Sequence, residues 1–115
     1  MIEILDGILI VRVSEELDQH NADLIRKEVD ETIKKQRIVE IIFDFQKTTF
    51  MDSSGIGMVM GRFKLVNSIG GSVAVVNLCE RVKKIFTFSG LTKIVNQYEN
   101  VEEALQIMKG EGDNE

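Results

Sequence analysis

Two hydrophobic rhythms alternate along the chain. Residues 38–45 read Ile-Val-Glu-Ile-Ile-Phe-Asp-Phe, a nearly continuous apolar run rich in β-branched and aromatic side chains, which suits a strand covered on both faces. From Ile56 the spacing becomes helical: Ile56, Val59, Met60, Phe63 and Val66 share one face and predict a helix from Ser54 to about residue 69, ending at Gly70-Gly71. Upstream, residues 2–5 and 8–13 are apolar runs separated by Asp6-Gly7, the two-residue signal of a type I′ hairpin. A polar connection over 14–20 leads to Asn21, placed to cap a helix whose core face is Ala22, Ile25, Val29 and Ile33 and which ends near Lys35. Downstream, residues 72–78 form a second continuous apolar strand, and Val82, Ile85 and Phe86 predict a short helix over 80–88 that stops before Gly90. Residues 94–97 predict a brief strand. Asn100 and Glu103 have capping-box spacing ahead of a last helix carrying Ala104, Leu105 and Met108.

Strands alternating with helices after an opening hairpin predict an α/β fold: a mostly parallel mixed β-sheet, an antiparallel N-terminal hairpin, about four helices and right-handed crossovers. In such sheets functional groups gather in loops at the carboxyl ends of strands, which draws attention to residues 16–21 and 46–54. The 115 residues suit a single domain over 1–109, followed by a flexible acidic tail over 110–115. There is no internal repeat, low-complexity region or interdomain linker.

Composition narrows the function. The net charge of −5 argues against nucleic acid, whose affinity rests on Lys and Arg neutralising backbone phosphates. The basic cluster Lys34-Lys35-Gln36-Arg37 ends a predicted helix, where cations complement the dipole. No basic leader precedes an apolar stretch, and no run approaches the roughly 20 residues of a membrane span, so a cytoplasmic protein with no membrane partner is expected. Cys79 is the only cysteine; at the end of an apolar strand it reads as a buried, inert thiol and points neither to catalysis nor to a metal.

The candidate chemistry lies in Asp52-Ser53-Ser54-Gly55-Ile56-Gly57, the corner between the strand and helix patterns. A helix start carries unpaired N–H groups and partial positive charge, so Asp52 or Ser53 can cap it. Capping alone could explain Asp and Ser here, but two adjacent serines exceed what a cap requires and leave one hydroxyl free. A hydrolase built from Ser53, His20 and either Asp18 or Asp52 lacks the Gly-x-Ser-x-Gly elbow. Gly55-Ile56-Gly57 lacks the Lys-Ser/Thr ending of a phosphate-cradling loop and reads instead as glycines that permit close packing. Phe43-Asp44-Phe45-Gln46 resembles the start of a phosphoaspartate-transferase strand without its second acid, which leaves Asp44 a structural role.

Phe50-Met51-Asp52-Ser53-Ser54-Gly55-Ile56-Gly57, followed by Gly61-Arg62, Gly70-Gly71 and Phe88-Ser89-Gly90-Leu91, resembles the STAS-domain anti-sigma factor antagonists, most closely their sporulation, anti-sigma-F branch. The likeness runs from about Leu9 to Leu105. It implies the STAS fold and a regulatory, non-enzymatic protein without catalytic residues, cofactor or metal. Ser53 matches the serine phosphorylated by a partner that is both anti-sigma factor and ATP-binding serine kinase. The unmodified form would bind that partner and free the sigma factor, phosphorylation would end binding, and a serine phosphatase would restore it. Leu17-Asp18 matches the family's Glu-Leu-Asp element, although Glu15 stands where similar proteins usually have Gly. A STAS module of a stress-response or other partner-switching system would share the fold and the switch serine and is the alternative; the closeness over residues 50–62 and 88–94 favours the sporulation branch.

On a helical wheel Ser54, Met58, Gly61, Arg62 and Leu65 lie opposite the core set, an apolar outward face that predicts a docking surface for the partner. With Asp18, Asp52 and Gly55 they make up the expected partner-binding residues around Ser53.

Overall fold

A computed structural model of the chain describes residues 2–110. The opening runs form β1 (Ile2–Leu5) and β2 (Ile8–Arg12), antiparallel, with Asp6 and Gly7 both at positive φ (54° and 80°) as a type I′ turn demands. Next come β3 (Glu16–Leu17), α1 (Gln19–Gln36), β4 (Glu40–Asp44), β5 (Phe50–Met51), α2 (Ser53–Asn67), β6 (Ser72–Val76), α3 (Glu80–Ser89), a 3₁₀ turn over Leu91–Lys93, β7 (Asn96–Tyr98) and α4 (Val101–Met108).

Five strands pair in the order β1-β2-β4-β6-β7, parallel throughout except for β1 with β2. Strand alternation sorts the side chains into two cores. Leu9, Val11, Ile41, Phe43, Val73 and Val75 join Val29 and Ile33 of α1, Val59 and Val66 of α2, and Val82 and Phe86 of α3. Ile8, Ile10, Ile42, Ala74 and Val76 face the other way and join Ala104, with Val101, Leu105 and Met108 of α4 packed against them. Burial on both faces is why β2, β4 and β6 read as continuous apolar runs rather than alternating ones.

Several elements differ from the sequence expectation. Residues 38–45 narrow to Glu40–Asp44 in the ladder, with Ile38 and Phe45 buried just outside it. The last strand is Asn96–Tyr98, since Leu91–Lys93 takes a 3₁₀ turn first; Val95, inside the expected strand, is instead a buried plug. Asp18 caps α1 rather than Asn21: its Oδ1 accepts the Asn21 N–H at 2.9 Å, and the Asn21 amide donates to the Glu16 carbonyl at 2.7 Å. The capping box of α4 closes one residue early, with Glu103 Oε1 accepting from the Glu99 N–H and Asn100 Oδ1 from the Glu103 N–H. Cys79 is exposed, not buried, because it follows the end of β6 and serves as the N-cap residue of α3. Residues 111–115 of the expected tail lie outside the described residues.

Among the described residues Asp44 is one of two polar residues buried with the core, at the carboxyl end of β4. Its Oδ1 accepts from the Gln46 N–H (3.0 Å) and Asn77 Nδ2 (2.9 Å), while Arg12 Nε lies 4.0 Å from Oδ2. It thereby fixes the turn after β4 and holds Asn77, which sits at φ 59°, a conformation Asn tolerates. Asp44→Ala leaves two part-buried donors without their acceptor and should cost about 1–3 kcal/mol, read as a lower urea midpoint with an unchanged m-value.

Candidate functional site

The site is built by a feature the hydrophobic pattern does not reveal, a second sheet of two residues per strand. β3 and β5 pair in parallel, Glu16 opposite Phe50 and Leu17 opposite Met51. The register sets the next residues, Asp18 and Asp52, side by side, and each caps the helix that follows. Asp52 Oδ1 accepts the Ser54 N–H at 2.8 Å, as Asp18 does for Asn21. Two strand–Asp–helix units thus open next to each other, and the two carboxylates face the positive ends of α1 and α2. The loops around them are tied together: Thr49 N–H donates to the Glu15 carbonyl at 2.9 Å, Thr48 Oγ1 to the Ser14 carbonyl at 2.7 Å, and Asp52 N–H to the Leu17 carbonyl at 3.3 Å. The loops over 16–21 and 46–54 are neighbours, as the strand-end rule anticipates. Glu15 is not among the positive-φ residues, so the Gly-to-Glu departure at this position is accommodated without backbone strain.

Ser53 is the first residue of α2 and is exposed; Ser54 is half-buried. Asp52 performs the capping, which leaves the Ser53 hydroxyl unengaged by any hydrogen bond among the described residues. Gly55 is buried against the small sheet: a Cβ there would meet Met51 Cγ at 2.6 Å and Leu17 Cδ2 at 2.7 Å. Only glycine lets α2 rest this closely on β3 and β5. Gly57 meets nothing within 4 Å, so the close-packing role falls to Gly55 alone of that pair. Gly55→Ala should therefore lift the start of α2 and destabilise the fold by about 1–3 kcal/mol; thermal unfolding would register it, and amide shifts confined to residues 50–57 would locate it.

The expected docking face is corrected. Met58 is only 4% exposed and belongs to the core. Ser54, Gly57, Met58 and Arg62 instead line a cleft shared with Ala22 and Arg26 of α1, because α1 packs along that side of α2. Arg62 does not face solvent freely: its Nε lies 2.9 Å from Asp30 Oδ1 across the two helices, at ion-pair distance but off hydrogen-bond direction. Burial lowers the Arg62 pKa from its usual value, the Asp30 charge raises it and Arg26 lowers it further. Leu65 is exposed at 41%, beside Ile33 and Lys34 of α1, and Gly61 is half-buried with open space where a Cβ would stand. A two-sided wheel treats a helix as having one covered face. α2 is covered on two, by the sheet and by α1, and its outward stripe is Ser53, Gly57, Gly61 and Lys64.

The hydrolase arrangement is not assembled. His20 is an exposed residue in the first turn of α1, and both candidate carboxylates are engaged as caps. Among the described residues no group of three side chains that could hold a metal ion occurs, and no helix is long and apolar enough to cross a membrane.

Comparison with known proteins decides the family, since the STAS domain model matches residues 1–104. The chain belongs to the STAS-domain family. Among relatives of this STAS domain, an anti-sigma F factor antagonist of Paenibacillus polymyxa is 42% identical over 99 residues, 86% of this chain and 85% of that one. The structure of the anti-sigma factor antagonist SpoIIAA in its unphosphorylated form superimposes with a TM-score of 0.86 at 32% identity, covering 96% of each chain. The phosphorylated form of the Bacillus cell fate determinant SpoIIAA gives 0.75 at 31% identity, covering 92% of this chain and 96% of that one. The STAS fold expected from the sequence, with its mixed sheet and N-terminal hairpin, is borne out.

Proposed function

We propose that this STAS domain is an anti-sigma factor antagonist. Unphosphorylated, it binds an anti-sigma factor that is also a serine kinase and so frees the sigma factor; phosphate on Ser53 ends that binding, and a serine phosphatase reverses it. The observation that carries this reading is the exposed, unengaged Ser53 hydroxyl at the start of α2, with Asp52 already supplying the cap. A serine needed only for capping would be bound to the helix.

The remaining residues have graded roles. Asp18 and Asp52 hold the two helix starts, and Gly55 seats α2 so that Ser53 projects outward. Gly57 and Gly61, one and two turns on, leave the helix backbone bare beside Ser53, which lets a partner approach closely. Ser54, Met58 and Arg62 act from the α1–α2 cleft, shaping this surface more than forming it, and Leu65 borders it. The alternative system, a stress-response module, has no observation in its favour here over the anti-sigma-F branch.

The test is a titration of the unmodified chain against the anti-sigma F factor of Paenibacillus polymyxa, followed by addition of ATP. A saturable complex and phosphate uptake at a single site support the proposal. Failure of both contradicts it.

A further inference from the structure

On the side of α2 away from α1, Ile56 faces α3 across an open cleft of about 440 Å³ lined by Ile56, Lys84, Ile85, Phe88 and Ser89. Three of its five lining residues, Ile56, Ile85 and Phe88, are apolar. Phe88 is 97% exposed, so an entire aromatic ring stands in water. A lone exposed apolar residue needs no explanation, but a contiguous patch centred on an aromatic does. Nothing in the fold requires Phe88: Val82 and Phe86 already fill the core beneath α3. The cleft also adjoins the switch, because Ile56 is three residues from Ser53 on one helix face, roughly 5–6 Å between Cβ atoms.

The charge of α3 runs opposite to that of the chain. The whole protein carries −5, yet α3 exposes Arg81, Lys83 and Lys84 against the single acid Glu80; Lys84 lines the cleft, whereas Lys83 lies on another side of the helix, with Asn77 and Tyr98. We infer that the α2–α3 cleft is a docking site for the protein partner of the proposed function, and that it takes an apolar side chain flanked by carboxylates, with Phe88 as the anchor and Lys84 as the charged rim. Charge complementarity favours an acidic partner segment and argues against cleft-to-cleft pairing with a second copy of the chain, which would set Lys84 against Lys84. It also gives the Ser53 phosphate its target. An acidic partner segment seated one turn away is repelled by the added negative charge, so modification acts on the interface without disturbing the fold.

The inference rests on the proposed function, and the experiment separates the two. The anti-sigma F factor of Paenibacillus polymyxa is titrated by calorimetry, without ATP so that Ser53 stays unmodified, against the native chain, Phe88→Ala and Lys84→Glu. Both substituted side chains are exposed, and thermal unfolding verifies that each variant is folded as the native chain is. At least tenfold weaker binding by Phe88→Ala is expected. A several-fold loss for Lys84→Glu that shrinks as salt rises is expected with it. Native-like affinity of Phe88→Ala, or equal or tighter binding by Lys84→Glu, overturns the cleft while leaving the Ser53 reading intact. Absence of binding by the native chain overturns both.

Discussion

With Ser53 replaced by alanine, the chain takes up no phosphate from its kinase partner and stays bound under conditions that release the native protein. The expectation follows from the local geometry. Of the two serines at the corner, Ser53 is exposed while Ser54 lines the cleft closed by α1, where its hydroxyl is the less accessible. A phosphate adds roughly 1.5 to 2 negative charges. The adjacent positive ends of α1 and α2 temper that charge within the chain, so the phosphorylated domain remains folded. The cost falls on the docked partner, and losing about 3 to 4 kcal/mol there lowers affinity by two to three decades. Mass spectrometry of the Ser53→Ala chain after incubation with kinase and ATP reads the first half, and calorimetry reads the second. Phosphate elsewhere on the Ser53→Ala chain, with release still occurring, contradicts the assignment.

Met58→Glu has the other large effect, and it is one of stability. Met58 reads from the sequence as a surface residue of α2, and on that reading a glutamate would weaken docking alone. In the structure it is buried between α2, α1 and the sheet. A carboxylate there is largely cut off from water, and of the cations lining the cleft Arg62 is already set against Asp30 while Arg26 is exposed. Loss of roughly 3–5 kcal/mol is expected, a fall in melting temperature of about 10–20 °C for a domain of this size. Leu65→Glu, at an exposed position, should unfold within about 2 °C of the native chain. Equal melting temperatures for the two variants would return Met58 to the surface.

These two residues show where sequence patterning reaches its limit. The central strands β2, β4 and β6 are legible because burial on both faces produces apolar runs, and the hairpin is legible because Asp6-Gly7 serves few other backbone conformations. The corner at Asp52 is equally plain, since cap chemistry is local. What cannot be read is whatever depends on the pairing of distant segments. Glu16–Leu17 and Phe50–Met51 are too short to carry a period, yet their pairing brings Asp18 beside Asp52 and makes Gly55 indispensable. The only cue is the repetition of an apolar residue followed by Asp, Leu17-Asp18 and Met51-Asp52, each ahead of a helix. Likewise, which flank of α2 is open depends on where α1 packs. Phe88 is missed for the same reason: it precedes Ser89-Gly90-Leu91 in a helical apolar pattern and nothing local distinguishes an exposed aromatic from a buried one.

The central claim is that the charge on one hydroxyl determines whether the domain can dock. Its most direct test is the dissociation constant of the chain phosphorylated stoichiometrically at Ser53, measured against the anti-sigma F factor of Paenibacillus polymyxa beside the unmodified chain in the same buffer. Affinity weaker by roughly a hundredfold or more, with an unchanged melting temperature, is the predicted result. Equal affinities for the two forms would contradict it.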